Sequence, residues 1–239
     1  MKLKYVTITG ADDNTGIKDL LNASKHYPFV EWGILFSPNP ERKKTDRYPS
    51  KEWCIELAKA SNTNKLNLSA HLCGGYTKEM LEFGQSHLVR RELGNLLKIF
   101  KRAQLNFNAS SRKVDLGLFY NFLTENQMEG RNFIIQHNKA NKIVLDYLLQ
   151  KNHVDVHFLY DSSGGRGTIP QTYQGIVPNY LTGYSGGLSP DNLEDCLFKI
   201  KGVVADSEIW IDTETGVRTD DKLDMDKVIS FLDRAKKFA

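Results

Sequence analysis

Two short segments carry the residue types that bind phosphate groups. The first contains Ser185, Gly186 and Gly187, and the second contains Thr215 and Gly216. Glycines let backbone N–H groups approach an anion closely, and a hydroxyl adds another donor. The alternative for Gly186 and Gly187 is a tight strand-to-helix turn without a ligand. Because two such segments are present, we favour a phosphate site.

A second set of residues has side chains that transfer protons or hold a substrate. Each lies at or just beyond the end of a predicted strand: Thr9, Asp12, His71, Asn108, His137 and Asp161. Histidine and carboxylate groups act as general acids and bases when they meet across a site. No lysine lies at such a position, so Schiff-base chemistry is disfavoured.

The elements that must position these residues alternate along the chain. Eight β-branched or aromatic runs predict strands over 5–9, 32–36, 67–72, 104–108, 132–137, 154–161, 180–185 and 209–213. Helical periods lie near 16–26, 50–61, 77–101, 112–127, 139–151, 190–200 and 224–237. This alternation is typical of parallel strands joined by right-handed crossovers. Eight strands in 239 residues favour one α/β domain, a (β/α)₈ TIM barrel over residues 1–239.

Local signals refine this prediction. Ser50, Asp224 and Ser189, which precedes Pro190, are placed to begin helices. The stretch 168–179 is rich in proline and glycine, so we expect the helix after strand six to be truncated or replaced by a loop. In such barrels the chemistry lies on the loops at the C-terminal strand ends, and phosphate commonly binds after strands seven and eight. The two glycine-bearing segments follow those strands.

Composition excludes several classes of function. A net charge of +3 is too small to indicate a nucleic-acid partner, and no apolar run reaches the roughly 20 residues of a membrane span.

Cys54, Cys73 and Cys196 share no metal-binding spacing and are predicted to be free thiols. We see no signal peptide and expect a cytoplasmic protein with no cofactor, whose partner is a small phosphorylated molecule. The sequence gives no oligomeric state.

Several segments resemble phosphoribosylanthranilate isomerase, the tryptophan-pathway barrel that performs an Amadori rearrangement. Residues 185–192 (Ser-Gly-Gly-Leu-Ser-Pro-Asp-Asn) are similar to that family's Ser-Gly-Gly-Leu-Asn-Pro-Glu-Asn loop, and residues 212–217 to its Asp-Val-Ser-Ser-Gly-Val segment. Asp161 and the Gly-Gly-Arg-Gly run after it resemble the family's strand-six aspartate and glycine loop. Residues 33–36 and 47–50 resemble its segment after strand two, so the likeness spans essentially the whole chain.

The resemblance implies specific roles. Asp161 would be the general acid that helps to open a furanose ring, and Arg47 would hold a substrate carboxylate. The two glycine-bearing loops would hold the ribose phosphate. The family's general base is a strand-one cysteine, and Thr9 occupies that position here. A threonine hydroxyl is too weak an acid to supply an alkoxide at neutral pH without a strong base, so the family's mechanism cannot run unchanged.

Other residues are candidates for the missing base. His71 is the first choice, Asp12 with its neighbour Asp13 the second, and His137 can serve as a base or orient the substrate. Cys73 is an alternative thiol base, although a buried structural thiol is the commoner role.

Two further features remain open at this stage. His71, His137 and Asp161 can also be read as metal ligands, but no local spacing supports this and we predict no metal. The basic run at 42–44 is either a solvated loop face or a clamp for a second anion.

Three functions follow from these patterns. The first is an isomerase that acts on a phosphorylated sugar or sugar conjugate by general acid/base proton transfer. The second is a barrel that binds a phosphorylated metabolite without catalysis, which the Thr9 substitution motivates. The third is a lyase or epimerase, because the phosphate loops serve such enzymes equally well.

Overall fold

Eight parallel strands close into a barrel in chain order, with the last strand hydrogen-bonded to the first. The computed structural model describes residues 1–42, 47–64, 66–126, 131–151, 154–161 and 167–239. The strands are β1 Lys2–Thr9, β2 Val30–Phe36, β3 Leu68–Cys73, β4 Arg102–Asn106, β5 Asn132–His137, β6 Val156–Tyr160, β7 Thr182–Tyr184 and β8 Glu208–Thr213. The predicted TIM barrel is confirmed.

Helices surround the strands. They are α1 Ile17–His26, α2 Lys51–Thr63, α3 Gly75–Phe83, α4 His87–Leu93, α5 Leu116–Asn126, α6 Lys142–Lys151, α7 Leu193–Val204 and α8 Met225–Ala235. A two-stranded hairpin, β9 Arg218–Thr219 and β10 Lys222–Leu223, precedes α8. None of the helices in the described ranges is long and apolar enough to cross a membrane.

Two predicted elements are corrected. The long helix over 77–101 is divided into α3, α4 and a 3₁₀ turn, because Gly84 takes a left-handed conformation (φ +62°) that ends α3. Strand four was predicted over 104–108 but β4 begins and ends two residues earlier, at Arg102 and Asn106. Arg102 is unusual in a barrel strand, and an ion pair inside the barrel accounts for its place there.

Two of the three predicted helix starts are confirmed. The Ser50 hydroxyl accepts a hydrogen bond from the Trp53 amide, and the Asp224 carboxylate accepts two at the start of α8, as predicted. The Ser189–Pro190 start is wrong. Helix α7 begins at Leu193, because Asn192 binds back to the Ser189 amide and to the Gly187 carbonyl and holds these residues in a loop.

The described part of the connection between β6 and β7 contains no helix. Residues 167–181 form irregular chain with bends and turns. The predicted loss of the helix after strand six is therefore confirmed. The outward side chains of the neighbouring strands lack the helix that covers them elsewhere in the barrel.

A buried ion pair fills the lower part of the barrel. Arg102 donates to both Glu31 carboxylate oxygens, at 2.8 and 2.7 Å, and the Thr7 hydroxyl donates to the same carboxylate at 2.9 Å. The guanidinium also contacts the His157 ring nitrogen at 3.1 Å and lies 4.5 Å from the centre of the Trp210 ring. His157 is therefore structural, and this layer forms a floor below the barrel mouth.

Candidate active site

A cavity of about 100 Å³ lies above this floor at the C-terminal ends of the strands. Inward-facing polar side chains form its lower wall, and glycine-bearing loops form its upper wall. The polar residues that line it are Thr9, His71, Gln104, Asn106, Gln136, Asp161, Asp212, Thr213 and Glu214. The loop residues are Gly167, Ser185, Gly186, Gly187, Leu188, Thr215 and Gly216. All five residues predicted to bind phosphate therefore meet at one cavity.

The loop after β7 presents unbonded amides to this cavity. Gly186 (φ +106°) and Gly187 (φ +64°) both occupy the region that only glycine adopts easily. Within the described chain, the backbone amides of Gly186, Gly187, Thr215 and Gly216 donate no hydrogen bond. Gly186 is buried and Gly187 and Gly216 are half-buried, and an amide shielded from water without a partner is costly, so amides grouped in this way are suited to bind an anion.

Direct contacts join the loop after β7 to the loop after β8. The Thr213 hydroxyl donates to the Leu188 carbonyl at 2.6 Å. Gly216 packs so closely on the same carbonyl that an added Cβ would lie 1.9 Å from its oxygen. The Asn192 side chain donates to the Gly187 carbonyl at 2.8 Å. The four amides are therefore held in place before any ligand arrives.

Asp161 faces the same cavity from the end of β6. Its side chain is buried, and one carboxylate oxygen accepts a hydrogen bond from the Gln136 amide at 3.2 Å. The Gly-Gly-Arg-Gly run that follows lies outside the described residues except for Gly167, which contacts Thr215 across the loops. The predicted acid and the phosphate loops thus share one site.

A second buried carboxyl group, which was not predicted to be a catalytic residue, lines the same cavity. Asp212, at the end of β8, accepts a hydrogen bond from the Thr9 hydroxyl at 2.9 Å. Burial, and to a smaller degree the nearby acidic groups of Glu214, Glu31 and Asp161, raise the pKa of Asp212 to about 8. Its place at a strand end was a usable signal, but the residue was read only as the start of the phosphate loop.

His71 lies in the barrel interior beside Thr9. Its Nε2 atom is buried and has no hydrogen-bond partner in the described chain. Burial and the charge of Arg102 lower the pKa of His71 to about 3. The imidazole is therefore neutral near physiological pH and weakly basic, which suits orientation of a substrate group better than removal of a proton.

Two candidate bases lie away from the cavity. The Asp12 carboxylate accepts a hydrogen bond from the Asn14 amide at 2.9 Å and lies 3.6 Å from the buried Arg218 guanidinium. His137 points out of the barrel, where its ring lies 4.3 Å from the centre of the Tyr160 ring. Its inward neighbour Gln136 faces the cavity instead, because successive side chains of a strand point to opposite faces. His71, His137 and Asp161 therefore cannot share one metal ion.

A second chamber of about 380 Å³ adjoins the cavity and shares Gln136 and Glu214 with it. Arg47 lies in this chamber, with its guanidinium 3.0 Å from Glu214 and 2.6 Å from Asp221. Burial raises the pKa of Glu214, and the hydrogen bond from Arg47 lowers that of Asp221. Arg47 was predicted to hold a substrate carboxylate, but its charge is already neutralised by Glu214 and Asp221.

Other polar groups complete the second chamber. Asn108 lines it, although its side chain also accepts a hydrogen bond from the Ser110 amide at 3.1 Å. Arg112 donates only to the neutral Gly74 carbonyl and Thr77 hydroxyl, at 3.0 and 3.3 Å, and forms no ion pair with a residue of the described ranges. It is a further cation for this chamber that the sequence analysis did not single out.

The remaining candidates contribute little to the cavity. Cys54, Cys73 and Cys196 are buried and unpaired, as predicted. Burial raises the pKa of Cys73, which makes its thiol a poor base. Of the basic run at 42–44, Arg42 lines the second chamber, while 43 and 44 fall outside the described residues.

Known structures share this fold at low sequence identity. Phosphoribosyl anthranilate isomerase from Thermotoga maritima is 16% identical with a TM-score of 0.59, over 98% of each chain. N-(5'-phosphoribosyl)anthranilate isomerase from Pyrococcus furiosus is 14% identical with a TM-score of 0.57, again over 98% of each chain. 3-Hexulose-6-phosphate synthase is 8% identical with a TM-score of 0.51, over 98% of this chain and 99% of that one. No protein-family model and no curated protein matches the sequence. These similarities show the fold alone.

Proposed function

We propose that the protein is an isomerase of a phosphorylated sugar or sugar conjugate that works by general acid/base proton transfer. One observation carries this proposal: the buried carboxyl groups of Asp161 and Asp212 line the same cavity as two loops in which four backbone amides have no hydrogen-bond partner within the described chain. The amides are suited to the phosphate, and the carboxyl groups to the reacting end of the sugar. The likeness of the motifs to phosphoribosylanthranilate isomerase supports the same chemistry.

Each carboxyl group has a distinct role in this proposal. Asp161 protonates the ring oxygen as its bond to the anomeric carbon breaks, and a lone pair of the substituent on that carbon forms a double bond to it, so the ring opens. Asp212 then removes a proton from the adjacent carbon; the C–H electron pair forms a double bond to the anomeric carbon, and the electron pair of the first double bond returns to the substituent. Asp212 finally returns its proton to the anomeric carbon while the hydroxyl on the adjacent carbon gives its proton back to Asp161, which leaves a ketone. A pKa of about 8 lets Asp212 both accept and return a proton near neutral pH. Asp212 thus replaces His71 and Asp12 as the proposed base, with Thr9 holding its carboxyl in place.

The test is turnover of phosphoribosylanthranilate, followed by loss of its fluorescence. We expect Asp161→Asn and Asp212→Asn each to lower kcat by about 10²–10⁴-fold while phosphate-ester binding persists. Because Asp212 must be ionised to act as the base, the kcat/KM profile should show a titration near pH 8 that is absent in Asp212→Asn. Asp195→Asn, on the exposed side of α7, is the matched control.

The same assay separates the proposal from its alternative. Near-normal turnover in Asp161→Asn would contradict the mechanism. Saturable binding of the phosphate ester without turnover in the unmodified protein would favour a binding barrel, the function that Thr9 at the base position suggests.

A further inference from the structure

A further cavity lies outside the barrel, on the face where the described residues 167–181 form no helix. It measures about 670 Å³ and is enclosed by α6, by the outer faces of β5 to β7 and by residues 170–174. This volume is in the usual range for small-molecule sites, about 300–1,000 Å³. This cavity is distinct from the active-site cavity, because Ser185 is the one residue that lines both in the described chain.

Aromatic rings form one wall of this outer cavity. The Tyr160 ring lies 4.3 Å from that of His137 and stacks on that of Tyr184 at 5.5 Å, while Tyr173 meets Tyr184 edge-on at 6.1 Å. Burial lowers the pKa of His137, so its ring is a neutral member of the wall. Leu145 and Leu149 of α6 face these rings from the other side. A flat apolar ligand fits between such surfaces.

The polar rim of the cavity is positively charged. Lys139 and Lys142 lie at the N-terminal end of α6 and its leading 3₁₀ turn, where the helix dipole is also positive. Lys142 is paired with Asp146 at 2.6 Å, whereas Lys139 has no ion pair with any residue that the structure describes. The rim therefore favours one anionic group on the ligand.

The outer cavity is connected to the phosphate loop by one short segment. Pro170, which lines the outer cavity, would lie 3.6 Å from a Cβ added to Gly186, and the Gly167 carbonyl 2.7 Å from one added to Gly187. Residues 167–170 thus lie against the phosphate loop, and the last of them, Pro170, also lines the outer cavity. A ligand that moves or fixes this segment must change the affinity of the loop for phosphate.

From these observations we propose that the outer cavity binds a planar aromatic molecule with one acidic group, and that this binding is coupled to the phosphate site. The stacked rings hold the planar body, and Lys139 holds the acid. The coupling rests on the proposed phosphate function, whereas the binding site itself does not.

The probe for this site is 8-anilino-1-naphthalenesulfonate, an aromatic anion whose fluorescence rises in apolar surroundings. Thr172→Trp places a large side chain on the exposed wall of the cavity and should abolish the saturable signal without unfolding the protein. Tyr160→Ala should raise the Kd about tenfold, and Lys139→Gln several-fold. Phe83→Ala and Phe198→Ala, at the exposed apolar side chains most apt to bind the probe elsewhere, should change nothing.

Coupling is measured by titrating inorganic phosphate with and without saturating probe. We expect the Kd for phosphate to change at least about threefold, and the Kd for the probe to change by the same factor in the reciprocal titration. A probe signal that survives Thr172→Trp in a folded protein would overturn the outer site. Probe binding that leaves the affinity for phosphate unchanged would overturn the coupling. Absence of phosphate binding would overturn the coupling together with the proposed function, while the Thr172→Trp result would still decide the aromatic site.

Discussion

The pair of Thr9 and Asp212 is the most consequential contact at the scale of single residues. A hydroxyl that is itself a poor base holds a carboxyl whose burial places its pKa near 8. The cost of ionising Asp212 in the barrel interior is what makes it a better proton acceptor than a solvated aspartate. The same cost must appear in the stability of the protein, because a pKa that differs between the folded and unfolded states links folding to pH.

We predict that Asp212 makes the protein less stable as pH rises from about 4 to about 8. In this window the folded state keeps a proton on Asp212 that the unfolded state has lost, so the free energy of unfolding falls with each pH unit and levels off above pH 8. Because asparagine does not titrate, Asp212→Asn removes this pH-dependent loss of stability. Its Tm relative to wild type should therefore increase steadily between pH 4.5 and 8, as measured by thermal unfolding.

Asp195→Asn is the control for this experiment, because it removes an exposed carboxylate from α7. Its Tm difference from wild type should stay constant over the same pH range. A constant difference for Asp212→Asn as well would show that Asp212 is ionised in the folded protein like an ordinary aspartate, and it would remove the proposed base.

Arg112 is a second residue-scale prediction, and it concerns substrate specificity. Since two carboxylates neutralise Arg47 and none of those in the described ranges pairs with Arg112, we expect Arg112 to bind an acidic group at the far end of the substrate. Arg112→Gln should raise KM for phosphoribosylanthranilate about tenfold with little change in kcat, because a charged hydrogen bond is worth about 1.5–3 kcal/mol. Lys113→Gln removes the same charge from an adjacent exposed position and should leave KM unchanged. A lower kcat at constant KM would assign Arg112 to the chemical step instead.

Among the elements of the barrel, the loops after β7 and β8 act as one unit. The contacts of Thr213 and Gly216 with the Leu188 carbonyl mean that neither loop can shift without the other. The unbonded amides stay aligned because of this packing. A residue larger than glycine at position 216 must push the two loops apart.

We predict that Gly216→Ala lowers phosphate affinity by at least about tenfold. The added Cβ would lie 1.9 Å from the Leu188 oxygen, so the amide cradle must open to accommodate it. Calorimetric titration with inorganic phosphate measures the effect. Gly202→Ala is the matched control: its Cβ meets no atom within 4 Å, and alanine within α7 should stabilise the protein by about 0.5–1 kcal/mol with phosphate affinity unchanged. Equal phosphate affinities in the two variants would place the anion elsewhere.

At the scale of the whole molecule, the barrel interior has two layers: a buried ion pair that forms a structural floor, and above it the cavity of the proposed active site. Arg102, Glu31, Thr7 and His157 join strands from opposite sides of the barrel through charged hydrogen bonds below the cavity. Asp161, Asp212 and the loops lie above them. Changes to the floor should therefore alter stability much more than ligand binding.

We predict that Arg102→Met costs about 3–5 kcal/mol of unfolding free energy, because it leaves the buried Glu31 carboxylate without its counter-charge. Urea denaturation gives this value. Lys4→Met is the control, since its exposed pair with Glu208 is worth about 0–1 kcal/mol. Phosphate affinity of folded Arg102→Met should remain close to that of wild type. If Arg102→Met lost as much phosphate affinity as Gly216→Ala, the structural floor and the proposed active site would not be independent of each other.

The sequence by itself determined the barrel, the missing helix after strand six and the loops that meet at the cavity. These features depend on local patterns: alternating strand and helix periods, proline and glycine in 168–179, and adjacent glycines after a strand. Asp161 followed from its place at a strand end and from the family resemblance. Local chemistry also fixed the caps at Ser50 and Asp224.

Only the tertiary structure decided which side chains reach the cavity and what their environment does to them. His137 and Gln136 are neighbours in the sequence, yet one faces outward to Tyr160 and the other inward to Asp161. A shift of one residue in a strand reverses the face on which a side chain lies, and sequence patterns place strand ends less accurately than that. The pKa of Asp212 and the neutralisation of Arg47 depend on burial and on charges far away in the chain, which no local pattern encodes.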